Sequence, residues 1–460
     1  MSHNLDSSEV RAVQRCIKPG CRQTYGLNER LYVCRRCEGL LDIERSFSEL
    51  GNANAMKAVW QKRWASLDPR DRSGVWRYRE LLPFAENVSV ISLAEGNTPL
   101  YDAPRAAEYC NLPALKLKHQ GCNPSGSFKD TGMTTAVTQA VLLGARIVVC
   151  ASTGNTSASL AAYAARANLA CAILVPEGQV SSAKLAQSLD YGARVLEIEG
   201  NFDTAMRIVR ELSEDESIYL VNSINPFRIE GQKTVAAELL QQMDWQVPDH
   251  LVLPGGNLGN SSAFGKGLWE LRELGLIDRL PRISVVQAAG AAPFAHLFEK
   301  HEHSTQDDDV AADFAAVEYP TTLATAIKIG APVSWEKAWR AIQWTKGRVL
   351  TVSEEEIADA KAIIGRDGIG CEPASATTVA GIRQLVQQGK IDSGESVVAV
   401  LTGHLLKDPD YVMNYHRGTL DFNDGSSEFG GRRIHGKFAN RPVRVKADVR
   451  SILQIMDHCD

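Results

Sequence analysis

The most constraining feature of the chain is a long alternation of short β-branched runs with amphipathic segments of helical spacing. The apolar runs are bounded by glycine, proline or polar turns, which is typical of strands buried on both faces of a parallel sheet. Helices between such strands return the chain and cover the sheet. We therefore expect an α/β fold with mostly parallel sheets and helices on both faces. The predicted strands are residues 147–151, 172–175, 194–198, 250–253, 283–287 and 397–401, and the predicted helices are residues 128–143, 156–168, 183–191, 202–212, 230–243, 258–274, 354–364 and 374–388.

Length and composition exclude several classes of protein. A chain of 460 residues is too long for one ordinary core, so two or three domains are expected. The net charge of −5 and a pI near 6.1 give no reason to expect nucleic acid as a partner. No apolar run approaches the roughly 20 residues that cross a bilayer, and the first residues lack the apolar core of a signal peptide. The sequence predicts a cytoplasmic protein with no membrane partner.

Composition changes divide the chain into three parts. Residues 1–47 hold two close pairs of cysteines, residues 48–417 carry the strand and helix alternation, and residues 418–460 begin with a Gly- and Ser-rich linker. The tail beyond the linker is predicted to form a short strand and a helix. Its segment 432–446 contains six Lys or Arg residues and no acid. This segment either touches a phosphate or forms a solvated basic face.

The cysteine pairs near the N-terminus have the spacing of a metal site. Cys16, Cys21, Cys34 and Cys37 follow the pattern C-x4-C and then C-x2-C. Two close pairs on tight turns present four thiolates tetrahedrally, as in a zinc ribbon. Such a zinc ion would be structural, because four protein ligands leave no position open for a substrate. The alternatives are a knuckle that no longer binds metal and a set of free thiols.

The segment NPSGSFKDTGM predicts a lysine in the first turn of a helix. Ser127 is a plausible N-cap, and Asp130 stands three positions later as in a loose capping box. Lys129 then lies at the positive end of the helix, where the electrostatics lower the pKa of its amine. A free amine suits attack on an aldehyde. The alternative is an exposed surface lysine.

Three further strand-to-helix junctions carry glycine and hydroxyl residues. ASTGNTSAS follows a strand, and its Ser152, Thr153 and helix start suit a substrate carboxylate, whereas Asn155 suits a ring hydroxyl. The alternative is a capped helix after a turn. PGGNLGN is neither a Walker A loop nor G-x-G-x-x-G, but its backbone amides suit a phosphate. Thr402 ends a strand with a hydroxyl that reaches a neutral ring nitrogen. The phosphate loop comprises Gly256, Asn257, Leu258, Gly259 and Asn260.

Together and in this order, the four segments resemble the fold type II pyridoxal-phosphate enzymes, and within them the threonine synthase family. The resemblance covers roughly residues 74–415 and includes GVWRYRELLPF, EGNTPL, NSINPFRIEGQKT and TGHLLKDP. EGQKTVAAELLQQMDWQVPD and AIKIGAPVS are similar to the branch that includes the plant enzymes, and some members also carry an N-terminal cysteine knuckle. The resemblance implies a tryptophan synthase β-like fold with two open, twisted sheets, a smaller mobile lobe at about 132–225, and a homodimer.

The resemblance also implies roles for single residues. The expected reaction converts O-phospho-L-homoserine and water to L-threonine and phosphate by γ-elimination and β-addition. Lys129, with Phe128 beside it, would bond to the aldehyde of pyridoxal 5′-phosphate and then move protons. Asn155 would contact the 3′-hydroxyl of the cofactor, residues 256–260 would hold its phosphate, and Thr402 would face an unprotonated pyridine nitrogen.

The phosphate of the substrate needs a second cationic site. Arg228 in NPFRIEG is the candidate, because a guanidinium matches phosphate oxygens bidentately. Asn222 and Ser223 would supply neutral donors. The alternative is that Arg228 pairs with Glu230 or another acid.

One residue departs from the family, and two other functions stay open. Leu405 stands where glycine is usual, which puts the local backbone in doubt because leucine disfavours a positive φ. A β-replacement enzyme acting on phosphoserine, similar to cysteate synthase, would share every cofactor motif. A non-catalytic sensor of the cofactor or an amino acid is the second alternative, and Lys129 argues against it.

Overall fold

The computed structural model describes residues 12–47, 52–177, 182–302, 310–423 and 431–456, so most of the predicted linker, at 424–430, lies outside the described residues. The strands are β1 Ala12–Cys16, β2 Thr24–Tyr25, β3 Leu41–Arg45, β4 Leu100–Asp102, β5 Lys116–His119, β6 Ile147–Ala151, β7 Ala170–Pro176, β8 Arg194–Ile198, β9 Ile218–Leu220, β10 His250–Pro254, β11 Arg282–Ala288, β12 Arg348–Val352, β13 Val397–Leu401, β14 Asp421–Phe422 and β15 Arg432–Arg433. The helices are α1 Ala53–Trp64, α2 Pro104–Tyr109, α3 Lys129–Leu142, α4 Asn155–Ala167, α5 Ser182–Asp190, α6 Phe202–Leu212, α7 Pro226–Gln242, α8 Gly259–Glu273, α9 Pro293–His301, α10 Val310–Asp313, α11 Trp335–Thr345, α12 Glu354–Arg366, α13 Pro373–Gln387, α14 Pro409–Arg417 and α15 Val449–Met456.

The larger sheet has six strands in the order β12-β11-β10-β13-β5-β4. All neighbours run parallel except β4, which pairs antiparallel with β5 at the edge. The central strand β10 is buried along its whole length, and its Leu251 lies opposite Ile283 and Val398. A strand with helices on both sides has no solvent face, which explains the uninterrupted apolar run HLVLP.

The smaller sheet has four parallel strands in the order β8-β7-β6-β9. Buried side chains of α3, α4 and β6, among them Val137, Tyr163 and Val148, form its main core. The two sheets and their helices confirm the α/β fold with mostly parallel sheets.

The six predicted strands are all present, but shorter or more polar strands were missed. β5 has the sequence KLKH, whose lysines are atypical of a strand, yet Lys118 is fully buried because it pairs with Glu238 at 2.5 Å. Helix α7 begins at Pro226, earlier than the predicted residue 230. The Asn225 side chain caps it by accepting a hydrogen bond from the Phe227 amide at 3.0 Å.

An antiparallel sheet, β2-β1-β3, carries the cysteine-rich segment and packs against the rest of the chain. Its buried Asp42 pairs with Lys266 of α8 at 2.8 Å and Arg340 of α11 at 2.5 Å. On the other side, the Tyr32 hydroxyl accepts a hydrogen bond from the Leu220 amide of β9 at 2.8 Å. The N-terminal segment therefore contacts two helices that pack on the larger sheet and one strand of the smaller sheet. Within the described ranges, no helix combines the length and the apolar character needed to span a membrane.

Candidate active site

The carboxyl ends of β6, β10 and β13 open into one pocket, as expected for parallel sheets. The pocket is lined from both sheets and by the loop around Thr325 and the start of α13. Arg228 is buried in the first turn of α7 and is not part of this lining. The predicted site residues that line the pocket are Phe128, Lys129, Ser152, Thr153, Asn155, Asn222, Ser223, Gly256, Asn257, Leu258, Gly259, Asn260 and Thr402.

Lys129 is the first residue of α3, and its Nζ lies 4.1 Å from the centroid of the Phe128 ring. Burial and the nearby charge of Arg228 lower the pKa of the Lys129 amine to about 7, and Glu372 opposes this shift. A lysine with this pKa is substantially a free amine at neutral pH, which is the nucleophilic form.

The predicted cap of α3 was wrong. Ser127 makes no capping bond, and its hydroxyl has no hydrogen-bond partner among the described residues. Asp130 instead accepts hydrogen bonds from the Ser125 amide at 2.6 Å and from the hydroxyls of Ser125 and Ser159 at 2.5 Å each. The carboxyl group therefore holds the turn before Lys129 against helix α4. Burial raises the pKa of Asp130 to about 6.

Asn155 and Thr402 face the same side chain, Glu372, which the sequence analysis missed. Nδ2 of Asn155 donates to Oε2 of Glu372 at 3.0 Å, whereas the buried Oδ1 of Asn155 has no partner among the described residues. The Thr402 hydroxyl lies 3.4 Å from Oε1 of Glu372. The available signal was the segment CEPASA, in which a glutamate precedes a proline-initiated helix at the end of a glycine-rich turn.

The glycine loop after β10 is shaped for an anion. Leu258 has φ +62° immediately before α8, so the chain turns sharply into the helix, and no side chain caps its free amides. Asn257 braces the loop by accepting a hydrogen bond from the Val333 amide at 2.9 Å. A Cβ at Gly259 would meet nothing closer than 3.9 Å, and both polar atoms of Asn260 are buried without a partner in the described part of the chain.

Arg228 is buried without a counter-ion. Its side chain makes no ion pair with any described residue, and its buried Nε has no hydrogen-bond partner there. Glu230, the alternative partner for Arg228, bonds instead to Lys233 at 2.7 Å and Lys266 at 2.5 Å. Burial lowers the pKa of Arg228 to about 10, so it still carries its charge at neutral pH.

Asn222 has a structural bond that the sequence analysis did not foresee. Its Oδ1 accepts from the Ala151 amide at 3.0 Å, and its Nδ2 donates to the Ala151 carbonyl at 2.9 Å. These bonds tie the loop after β9 to the end of β6. One amide hydrogen of Asn222 remains, which still suits a neutral donor next to Ser223.

The Leu405 position is accommodated without strain. Leu405 does not adopt a left-handed φ and begins a single 3-10 turn, Leu405–Lys407. Its side chain lies against Gly370, where a Cβ would come within 2.8 Å of the Leu405 Cβ. The glycine opposite therefore provides the space that leucine needs.

The four N-terminal cysteines come together at one point. Their sulfur atoms all lie within 4.8 Å of one another, with Cys16 and Cys37 at 3.4 Å and Cys21 and Cys34 at 3.6 Å. Cys16 and Cys34 are buried, and Cys37 is exposed. Four convergent thiols are the donor set of a structural zinc site.

The sequence of the whole pocket-bearing region matches known proteins. A family described as "Pyridoxal-phosphate dependent enzyme" matches residues 91–403. Threonine synthase of Methanocaldococcus jannaschii is 45% identical over 402 residues, which cover 87% of this chain and 94% of the relative. The chain belongs to the threonine synthase family of pyridoxal-phosphate-dependent enzymes.

Two further comparisons agree with this family. Threonine synthase of a Synechocystis species is 45% identical over 352 residues, or 75% of this chain and 87% of the relative. The structure of threonine deaminase isoform 2 from Solanum lycopersicum superimposes with a TM-score of 0.57 at 19% identity, covering 77% of this chain and 85% of the deaminase. The structural likeness shows the fold type II architecture, and the sequence relatives show a lyase of threonine biosynthesis that depends on pyridoxal phosphate.

The pocket residues fit the cofactor of the threonine synthase family. A free amine at Lys129, unpartnered polar atoms at Asn155 and Asn260, and free amides at the start of α8 match its aldehyde, ring hydroxyl and phosphate. The fit rests on groups that the protein itself leaves unsatisfied. Buried polar groups of this kind are costly unless a ligand satisfies them.

Proposed function

We propose that the enzyme converts O-phospho-L-homoserine and water to L-threonine and phosphate. The observation that carries the proposal is the buried guanidinium of Arg228, which makes no ion pair with any described residue and whose charge acts on Lys129. The glycine loop at 256–260 already offers one phosphate site, so Arg228 offers a second. A substrate with its own phosphate explains why the chain keeps both.

When bound, pyridoxal phosphate would supply an electron sink next to the substrate's Cα, which favours loss of protons from Cα and Cβ, departure of phosphate from Cγ and addition of water at Cβ. Lys129 is the residue assigned to bond the cofactor and to carry these protons on its Nζ, because its pKa of about 7 suits both directions of transfer. Phe128, the loop 256–260, Asn155 and Thr402 are assigned to hold the cofactor. Thr402 carries no charge, so its hydroxyl would donate to a ring nitrogen that is left unprotonated.

The substrate is assigned to the loops that follow β6 and β9, with Arg228 nearby outside the pocket lining. Ser152 and Thr153 precede the start of α4, whose free amides suit the substrate carboxylate. Arg228 is assigned to the departing phosphate, with Asn222 and Ser223 as neutral donors. Closure of the lobe at about 132–225 over the substrate would exclude water during proton transfer.

Product analysis tests the reaction. The purified protein, loaded with pyridoxal phosphate, is incubated with O-phospho-L-homoserine, and threonine and inorganic phosphate are measured. We expect equal amounts of both products. The same assay with O-phosphoserine tests the β-replacement enzyme, because that substrate is shorter by one methylene. Phosphate release from phosphoserine alone would overturn the proposal.

We also propose that Cys16, Cys21, Cys34 and Cys37 bind one structural zinc ion. The four convergent sulfur atoms support this site. Metal analysis is expected to find about one zinc per chain, lost when Cys34 and Cys37 are both replaced by serine. The variant is expected to be less stable but to keep its turnover per folded molecule. Metal-free protein of full stability would contradict the proposal.

Three further assignments follow from the resemblance and are proposed on that basis. The enzyme works as a homodimer in the cytoplasm, and it belongs to the branch of the family that includes the plant enzymes. The segments EGQKTVAAELLQQMDWQVPD and AIKIGAPVS support the branch. Sedimentation analysis of the purified chain tests the dimer.

A further inference from the structure

Glu372 stands out among the pocket residues because it is a buried acid that makes no ion pair with any described residue. It is 1% exposed, and no described Lys, Arg or His lies within ion-pair distance of its carboxylate. Its two hydrogen-bond partners are the neutral side chains of Asn155 and Thr402. Burying a carboxylate without a counter-ion is costly, and glutamine would fill the same space without that cost. An ionisable acid at this point therefore serves more than packing.

The backbone around Glu372 is built to hold the carboxylate in one place. Its amide donates to the Gly403 carbonyl at 3.0 Å, and Pro373 begins α13 directly after it. A Cβ at position 403 would lie 2.2 Å from the Glu372 carboxyl carbon, so only glycine leaves room for the side chain. The glycine after Thr402 thus provides the space in which Glu372 reaches the pocket.

Ser375 sets the direction of the Thr402 hydroxyl. Its Oγ accepts the amides of Thr402 at 2.8 Å and Gly403 at 3.1 Å, which occupies both of its lone pairs. Its own proton must then go to Oγ1 of Thr402, 3.2 Å away. Thr402 consequently keeps its proton for another acceptor. Glu372 lies within reach at 3.4 Å, a long contact that leaves this proton available to the ring nitrogen when the cofactor is bound.

We propose that Glu372 is a positioning residue whose carboxylate holds the Asn155 amide toward the cofactor ring, keeps the Thr402 hydroxyl in the pocket until the ring nitrogen takes its proton, and places a negative charge beside the ring. With Nδ2 of Asn155 bonded to Glu372, the second hydrogen of that amide and its Oδ1, which has no partner among the described residues, are left for the ring hydroxyl. The proposal rests on cofactor binding in this pocket, which is part of the proposed function, and not on the identity of the substrate.

Other charged groups also face Glu372. Burial raises the pKa of Glu372, the charges of Lys184 and Lys407 lower it, and Asp408 raises it. Lys129 faces it across the pocket, and Glu372 raises the pKa of that amine. A pH experiment must therefore change Glu372 alone and leave these groups in place.

The test uses the full chain loaded with pyridoxal phosphate and no substrate, and compares Glu372→Gln with the wild type. We expect the dissociation constant of the cofactor to rise about tenfold, because the amide presents hydrogens to donors. The midpoint of the visible absorbance titration is expected to fall by about one pH unit or more. Loss of a neighbouring negative charge destabilises the protonated, yellow form of the bound cofactor.

Glu354→Gln is the matched control. Glu354 is a buried glutamate that accepts a hydrogen bond from the Leu323 amide at 3.2 Å and does not line the pocket. The Glu354→Gln substitution is expected to change neither the dissociation constant of the cofactor nor the midpoint of the absorbance titration. If Glu372→Gln does not fold, Glu372→Asp keeps the charge with a shorter reach. Cofactor affinity is then expected to fall several-fold, with the titration midpoint within about half a unit of wild type.

Unchanged affinity and midpoint in Glu372→Gln would overturn the inference, as would an aspartate variant whose midpoint falls by a full unit. Lys129→Ala separates this failure from a failure of the proposed function. If borohydride still links the cofactor to that variant, the cofactor bonds elsewhere and the assigned site is wrong. If the link is lost while Glu372→Gln behaves as wild type, only the role of Glu372 is wrong.

Discussion

Helix α7 carries two buried charged regions less than two turns apart, and they differ in one property. Glu230 and Lys233 belong to a cluster with Lys266 in which every charge has a partner, at 2.5 to 2.7 Å. Arg228, two residues before Glu230 in the same helix, has no acidic partner among the described residues. The paired cluster joins α7, α8 and the N-terminal sheet, whereas the unpaired charge stands beside the pocket. Within α7, unpaired burial, and not burial of charge as such, distinguishes the charge beside the pocket from the charges of the scaffold.

Among substitutions of the pocket residues, Lys129→Ala is expected to have the largest effect on activity. Loss of the only lysine that lines the described pocket removes the covalent attachment of the cofactor and essentially all turnover. Absorbance of the bound cofactor and its reduction by borohydride measure the attachment. Stability is expected to stay near that of the wild type, since the amine is not part of an ion pair. A yellow, reducible variant would contradict the assignment.

Among substitutions in the paired charge cluster, Lys266→Met is expected to have the largest effect on stability. It leaves Asp42 and Glu230 buried with reduced compensation, which costs about 3–5 kcal/mol of the free energy of unfolding. Urea unfolding measures this loss, and cofactor binding by the folded protein is expected to be unchanged. Lys116→Met is the control, because its pair with Asp102 is equally short at 2.6 Å but exposed. Its expected cost is below about 1 kcal/mol.

Arg228→Leu sharpens the comparison by separating stability from activity. Losing a buried charge-assisted contact is expected to cost about 2–5 kcal/mol in kcat/KM for O-phospho-L-homoserine. The free energy of unfolding is expected to stay the same or rise, because an unpaired buried charge is removed. Cofactor absorbance should hardly change.

Arg228→Lys is the matched control, since it keeps the charge and loses the bidentate fork. An intermediate loss of kcat/KM is expected. If Arg228→Leu instead releases the cofactor and leaves KM unchanged, the two phosphate sites are assigned the wrong way round.

Thr402→Val is expected to have the smallest effect. It removes one hydrogen bond to the cofactor ring, worth about 1 kcal/mol of cofactor affinity, and leaves the attachment to Lys129 intact. Equilibrium dialysis of the cofactor measures the change. Thr402→Ser, which keeps the hydroxyl, serves as control. Equal affinity in all three proteins would place the partner of the ring nitrogen elsewhere.

Much of the fold was predictable because the signals are local. β6, β8 and β13 have the predicted bounds. β6 and β13 are buried, and a strand with helices on both faces needs an unbroken apolar sequence. β8 is a largely exposed edge strand that tolerates Arg194 and Glu197. The four motifs were also found, because each lies where a strand gives way to a loop and helix. The start of α7 was predicted too late, although Asn225 and Pro226 are an N-cap and a first-turn proline that the sequence displays.

The sequence does not predict the partners of the buried charges, because these partners come from distant parts of the chain. The sequence left open whether Arg228 pairs with Glu230, and the packing of α7 on α8 brings Lys266 to Glu230 instead. Glu372 meets Asn155 across 217 residues of chain. Residue types and local spacing indicate which side chains are candidates for catalysis and binding. Which of them stay unpaired depends on the desolvation and competing contacts that arise only when the two sheets pack together.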